Sequence, residues 1–129
     1  MAGHTIALKR VHDEVREEDH SGEGERFLVD GLWPRGVRKT ALEGVSWVKE
    51  VAPSKELRSW FGHDPARFSE FADRYRAELD EQDSEALSSI LSAIEQGPVT
   101  LLYAAKDTEH NHAVVLRDWL WDHSTATGN

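Results

Sequence analysis

Asp30, Trp33 and Arg35 fall within six residues of one another in RFLVDGLWPRGVR (26–38), an apolar run that ends on an acid and then turns. A carboxylate there can move a proton or orient a ligand, and a guanidinium can grip a carboxylate or phosphate with two parallel bonds. The indole, set in a turn between Gly31 and Pro34, can wall a pocket and stack on a flat molecule. A second group, YAAKDTEHNH (103–112), supplies Tyr103, Lys106, His110 and Asn111. His110 is a candidate acid/base because its unperturbed pKa lies near neutrality, and Asn111 can orient a carbonyl or amide. Arg10, which ends the first apolar run, is a third cation beside Arg35 and Lys106.

Taken together, these residues suit a small anion: Arg10, Arg35 and Lys106 as clamp, Asp30 and His110 as acid/base pair, Trp33 and Tyr103 as walls. The plainer alternative is that Arg10 or Arg35 ties the turns by pairing with Asp30 or Asp107, and that Asn111 merely serves backbone donors. Three cations outnumber two aspartates, which weighs against all three being structural. No metal site is expected. His110 and His112 stand two apart and diverge on a helix, and His63 beside Asp64 reads as capping and packing. The tripeptide HNH (110–112) lacks the context of a nuclease motif.

For these groups to meet, the chain must carry them to one edge. Extended runs are expected at about 5–11, 27–30 and 99–104, the last (VTLLYA) apolar throughout, as in a strand covered on both faces. Residues 39–50 predict a short helix or turn, then an extended piece. Ser54 caps a helix bearing Leu57, Trp60 and Phe61, which Gly62 ends; Asp64-Pro65 opens another, apolar through Leu79. A third spans about 84–96 and stops at Gly97-Pro98, and a final helix is expected from about Thr108 to Trp121. The acidic stretch 14–25 reads as a mobile loop with nothing to bury, and 123–129 as a frayed tail. The result is an α/β fold: a small, mostly parallel sheet covered by helices in one three-layer-like domain over 1–129. Ligands of open α/β sheets bind beyond the carboxyl ends of the strands, where Arg10, Asp30 to Arg35 and Tyr103 to Asn111 would converge.

The segments LKRVHD, FLVDGLWPRGV, SWVKEVAPSKELRSWFGHDPARFSEFADRYRAEL and PVTLLYAAKDTEHNHAVVLRDWL together resemble the family called domain of unknown function 488, in its short, YeaO-like branch. The likeness covers nearly the whole chain apart from the acidic loop and the ends. It implies a compact bacterial or archaeal cytoplasmic protein whose activity is not established. The family pattern falls on Arg10, Asp30, Trp33, Pro34, Arg35, Gly36, Pro53, Trp60, Phe61, His63, Tyr103, Lys106, Asp107, His110 and Asn111. A longer branch carries cysteines near the last strand and where His110 to His112 stand here. This chain has no Cys, which also removes disulfides and thiolate metal sites.

A formal net charge of −9 over 129 residues argues against binding nucleic-acid polymers or anionic membranes, since both rest on clustered Lys and Arg. A local basic pocket for a small anionic molecule remains compatible with it. No apolar run reaches membrane-span length and the first ten residues lack a signal-peptide core, so the cytoplasm is the expected compartment. No motif identifies a cofactor, and the aromatic content is compatible with a homodimer. Two functions stay open: binding of, or action on, a small anionic metabolite or nucleotide, and a non-catalytic protein-interaction module using the same edge.

Overall fold

The computed structural model describes residues 5–127. Four strands, β1 (Ile6–Arg10), β2 (Glu25–Leu28), β3 (Val45–Trp47) and β4 (Val99–Tyr103), form one sheet in the order β1-β4-β2-β3. Every neighbouring pair is parallel, with Arg10 beside Tyr103 and Leu28 beside both Leu102 and Trp47. All carboxyl ends therefore open on one edge. The central position of β4 explains its unbroken apolar sequence, because all five of its residues are buried.

Side-chain alternation divides the core in two. Phe27, Val29, Leu101 and Tyr103 face the thicker layer, made of α2 (Lys55–Phe61), α3 (Phe68–Glu81), α4 (Glu85–Gln96) and α5 (His112–Thr127). Leu28 and Leu102 face a thinner cover formed by α1 (Val11–Glu14), a 3₁₀ turn at Lys39–Leu42 and the loop holding Trp33 and Val37. The helix starts follow the capping chemistry of the sequence. Ser54 Oγ accepts from Leu57 N at 3.2 Å, Ser84 Oγ from Leu87 N at 3.2 Å, and Asp64 Oδ1 from Ala66 N at 3.0 Å.

Three expectations need correction. The last helix begins at His112 rather than Thr108, because Asp107 Oδ1 accepts the amides of Glu109 (2.9 Å) and His110 (3.0 Å) and holds 107–110 in a turn that competes with helix. The same helix runs on to Thr127, through most of the expected tail; 128 and 129 lie outside the described residues. The acidic stretch does bury a residue: Glu14 is fully enclosed, 2.7 Å from the Arg26 guanidinium and 3.0 Å from the Lys9 ammonium. No helix among the described residues is long and apolar enough to cross a membrane.

Candidate ligand-binding cleft at the strand ends

Beyond the carboxyl ends of β2 and β4, the chain turns away in opposite directions and leaves an open cleft of about 680 Å³. Asp30 and Gly31 form one side, Ala104 and Ala105 the floor, and α2 with its end the other side, through Lys55, Arg58, Ser59 and His63. His112, the first residue of α5, and the exposed Leu32 complete it. Behind it lies a recess of about 50 Å³ lined by the stacked Phe61 and Phe71, which shares Arg58, His63, Ala105 and His112 with the cleft and is also lined by Asn111.

Each polar side chain owes its position to local structure. Asp30 Oδ2 accepts the Ala104 amide at 3.0 Å, stitching the two turns together, while its carbonyl accepts from the Trp47 indole at 2.8 Å. His112 Nε2 lies 3.0 Å from the Val29 carbonyl and 3.2 Å from Asp30 Oδ1. A carbonyl can only accept, so Nε2 carries the hydrogen and directs it to Val29; Asp30 Oδ1 is left buried without a hydrogen bond. Arg58 projects from α2 one turn beyond Lys55. Its Nε is also buried and unpartnered, and its guanidinium makes no hydrogen bond or ion pair with any described residue. It rests on Gly31, where an added Cβ would sit 2.5 Å from Nη1. His63 follows Gly62 with φ 57°, a left-handed conformation that costs a non-glycine residue about 1 kcal/mol and turns the chain back over the cleft.

The sequence-expected residues divide. Asp30 lines the cleft and Asn111 the recess, where Asn111 also caps α5: its Oδ1 accepts from Val114 N at 3.1 Å and its Nδ2 donates to the Asp107 carbonyl at 2.8 Å. Arg10 Nε donates to the Ala105 carbonyl at 3.1 Å and so braces the floor. Tyr103 is buried in the core, and burial pushes its phenol pKa up, partly offset by the Arg10 charge. Trp33 turns away from the cleft: its indole donates to the Val37 carbonyl at 2.7 Å, meets Trp47 edge-on at 5.3 Å and packs on the thinner core. Arg35 and Lys106 are exposed and outside the lining residues of both cavities. His110 Nδ1 lies 3.0 Å from Asp107 Oδ2, with the ring edge-on to Phe68 at 5.3 Å.

Sequence reasoning placed Gly31 at this edge only as part of the run Asp30 to Arg35, missed Lys55, Arg58 and Ser59 as lining residues, and gave His63 and His112 only structural weight. The readable signal was the pair Lys55 and Arg58, two cations three apart on a helix whose Leu57 and Phe61 are buried. His112 carried no such signal, because its meeting with Asp30 spans 82 positions and depends on the late start of α5.

A separate charged cluster sits under the thinner face. Glu14, His20 and Glu23 bring ligand-type atoms within 4.8 Å of one another, as a metal site would. The Lys9 ammonium stands among them, 3.0 Å from Glu14 and 3.2 Å from Glu23, and His20 Nδ1 lies 3.1 and 2.9 Å from the same two residues. Burial alone would raise the Glu14 pKa, but bonds from Arg26 and Lys9 overcome it and hold the carboxyl at about 2.

An all-parallel α/β domain with an open cleft at its strand ends is thus the class this molecule represents. The family profile described as "Inactive DUF488-N3 subclade" matches residues 5–128, and the chain belongs to the DUF488 family. Uncharacterized protein YeaO of Escherichia coli (strain K12) is 44% identical over 115 residues, covering 89% of this chain and 96% of that protein. Uncharacterized protein Rv3073c of Mycobacterium tuberculosis (strain ATCC 25618 / H37Rv) is 41% identical over 115 residues, 89% of this chain and 92% of its own length. No solved structure matches the chain.

Proposed function

We propose that the chain binds a small oxyanion in the cleft between Asp30 and Arg58 without turning it over. The observation that carries this reading is Arg58: a guanidinium set into a cleft wall, its Nε out of water, with no anion to pair it. A partly exposed guanidinium with an unmet donor gains from a ligand carboxylate or phosphate that can take two of its hydrogens. Lys55 on the same wall adds positive charge to an acidic molecule, which focuses small anions there. Binding without turnover is favoured because Asp30 Oδ2 and the His110 imidazole already serve turns, and because the matching family description reads "inactive".

The test is a thermal-shift and calorimetric series with inorganic phosphate, small carboxylates and nucleoside monophosphates, on wild type and Arg58→Met. A ligand at a hundred times its Kd adds about 2.7 kcal/mol, a rise of several degrees in Tm, and the variant should lose it. Flat responses from the well-folded wild type would refute the reading. One observation favours the interaction-module alternative: Leu32, at the cleft lip, is 71% exposed, an apolar contact for a partner's acidic or C-terminal segment.

A further inference from the structure

We infer that the ligand of this cleft is a bifunctional small molecule, an oxyanion that also carries an O–H or N–H donor, as hydroxy acids and amino acids do. The inference rests on the anion reading above and adds to it the state of Asp30. Arg58 offers donors and no acceptor; Asp30 Oδ1 offers an acceptor whose nearest donor, His112 Nε2 at 3.2 Å, directs its hydrogen to Val29 instead. Both line one cleft, and Gly31, against which Arg58 rests, is the residue next to Asp30. A simple anion would satisfy Arg58 and leave the carboxylate unpaired, now facing a second negative charge. A molecule with a donor beside its anionic group satisfies both.

No hydrogen bond or ion pair from the described residues tethers the Arg58 side chain, so it can turn onto an entering anion. Asp30 is held by the Ala104 amide through Oδ2, which leaves Oδ1 as the oxygen a ligand donor would meet. Ala104, Ala105 and Leu32 make the remaining wall largely apolar, so a hydrocarbon substituent is accommodated. A site built with a buried acceptor rejects the analogue that lacks the matching donor far more strongly than it rejects a change of hydrocarbon.

Two matched pairs test this by calorimetry on the full chain: 3-phenyllactate against 3-phenylpropionate, and glycerol phosphate against propyl phosphate. The donor-bearing member of at least one pair should bind tenfold or more tightly than its partner, and the pair that shows the preference identifies the anion as carboxylate or phosphate. Asp30→Asn keeps a carbonyl oxygen for the Ala104 amide and should reduce the preference to under threefold while the donor-less compound binds as before. Equal affinities within both pairs, with binding still lost in Arg58→Met, would overturn this inference and leave the anion reading standing. No binding by any of the four, while phosphate or a nucleoside monophosphate still binds, would overturn this inference alone; silence from all of them would end both. Because the wild-type comparison needs no variant, misfolding of Asp30→Asn does not blunt the test.

Discussion

Two charged clusters, one under the thinner face of the sheet and one at its carboxyl edge, are built from similar residues and differ in how they are paired. Around Glu14 every charge has an opposite partner: Lys9 meets three carboxylates, Arg26 meets Glu14 at 2.7 Å, and His20 sits between two acids. In the cleft, Arg58 has no partner among the described residues, and Asp30 Oδ1 has only the His112 Nε2 contact at 3.2 Å, whose hydrogen goes to Val29. Charge pairing, which Glu14 Oε1 keeps with Lys9 at 3.0 Å even without a directed hydrogen bond, marks a cluster that has finished its work when the chain folds. A buried deficit on both a donor and an acceptor marks a place kept for something else.

The sharpest way to break the comparison is to delete one partner on each side. Glu14→Ala leaves Arg26 and Lys9 short of their buried anion and should destabilise the fold by about 3–5 kcal/mol in urea unfolding. A loss below about 1 kcal/mol would mean the cluster is solvated ornament. Acid unfolding sharpens the point. The Glu14 pKa falls from 4.5 to about 2 on folding, so its contribution is present above pH 4.5 and drains away as pH drops toward 2. The full drop is up to roughly 3 kcal/mol, and the Glu14→Ala variant should show a correspondingly flatter acid limb.

Asn111→Ala removes the cap that starts α5 and places His112, with an expected loss of about 1 kcal/mol and a looser recess. Unchanged stability would show that another group serves the Val114 amide. At the small end, Arg58→Met should shift stability by no more than about 0.5 kcal/mol in either direction, because it deletes no pairing. Gly31→Ala should be similarly mild, since the new methyl meets the far end of a flexible side chain, yet it should weaken phosphate or carboxylate binding by about tenfold. A large stability loss in either variant would make Arg58 a structural brace after all.

How much of this was legible beforehand depends on the range over which each feature is encoded. The caps at Ser54 and Asp64, the apolar stripes of α3 and α4 and the wholly apolar β4 are short-range signals, and the structure reproduces them. The parallel sheet followed from strands separated by long connections, and with it the edge where Arg10, Asp30 and Ala104 meet. The start of α5 was misplaced because Asp107 takes two backbone amides for itself, a competition that periodicity does not register. β3 was visible only as an extended piece, because three residues carry too little alternation. Trp33 looked like a pocket wall, and its turn instead tucks it inward to the Val37 carbonyl. Arg58 and His112 reach the cleft only through tertiary packing, which is why a chemistry-first reading favoured Arg35, Lys106 and His110.

The strand order has a consequence for how the molecule comes into being. β4 lies between β1 and β2, so the strand second to be made has no bond to the first until residues 99–103 arrive. Only β2 and β3 can zip early, as a three-residue register. During synthesis the amino-terminal half therefore emerges as a nascent chain with an open gap in its sheet, and closure waits on the last third. Such long-range pairing slows folding and exposes strand edges meanwhile. A ribosome stalled before residue 99 should hold a chain still open to protease, and release past α5 should close it in a single late step.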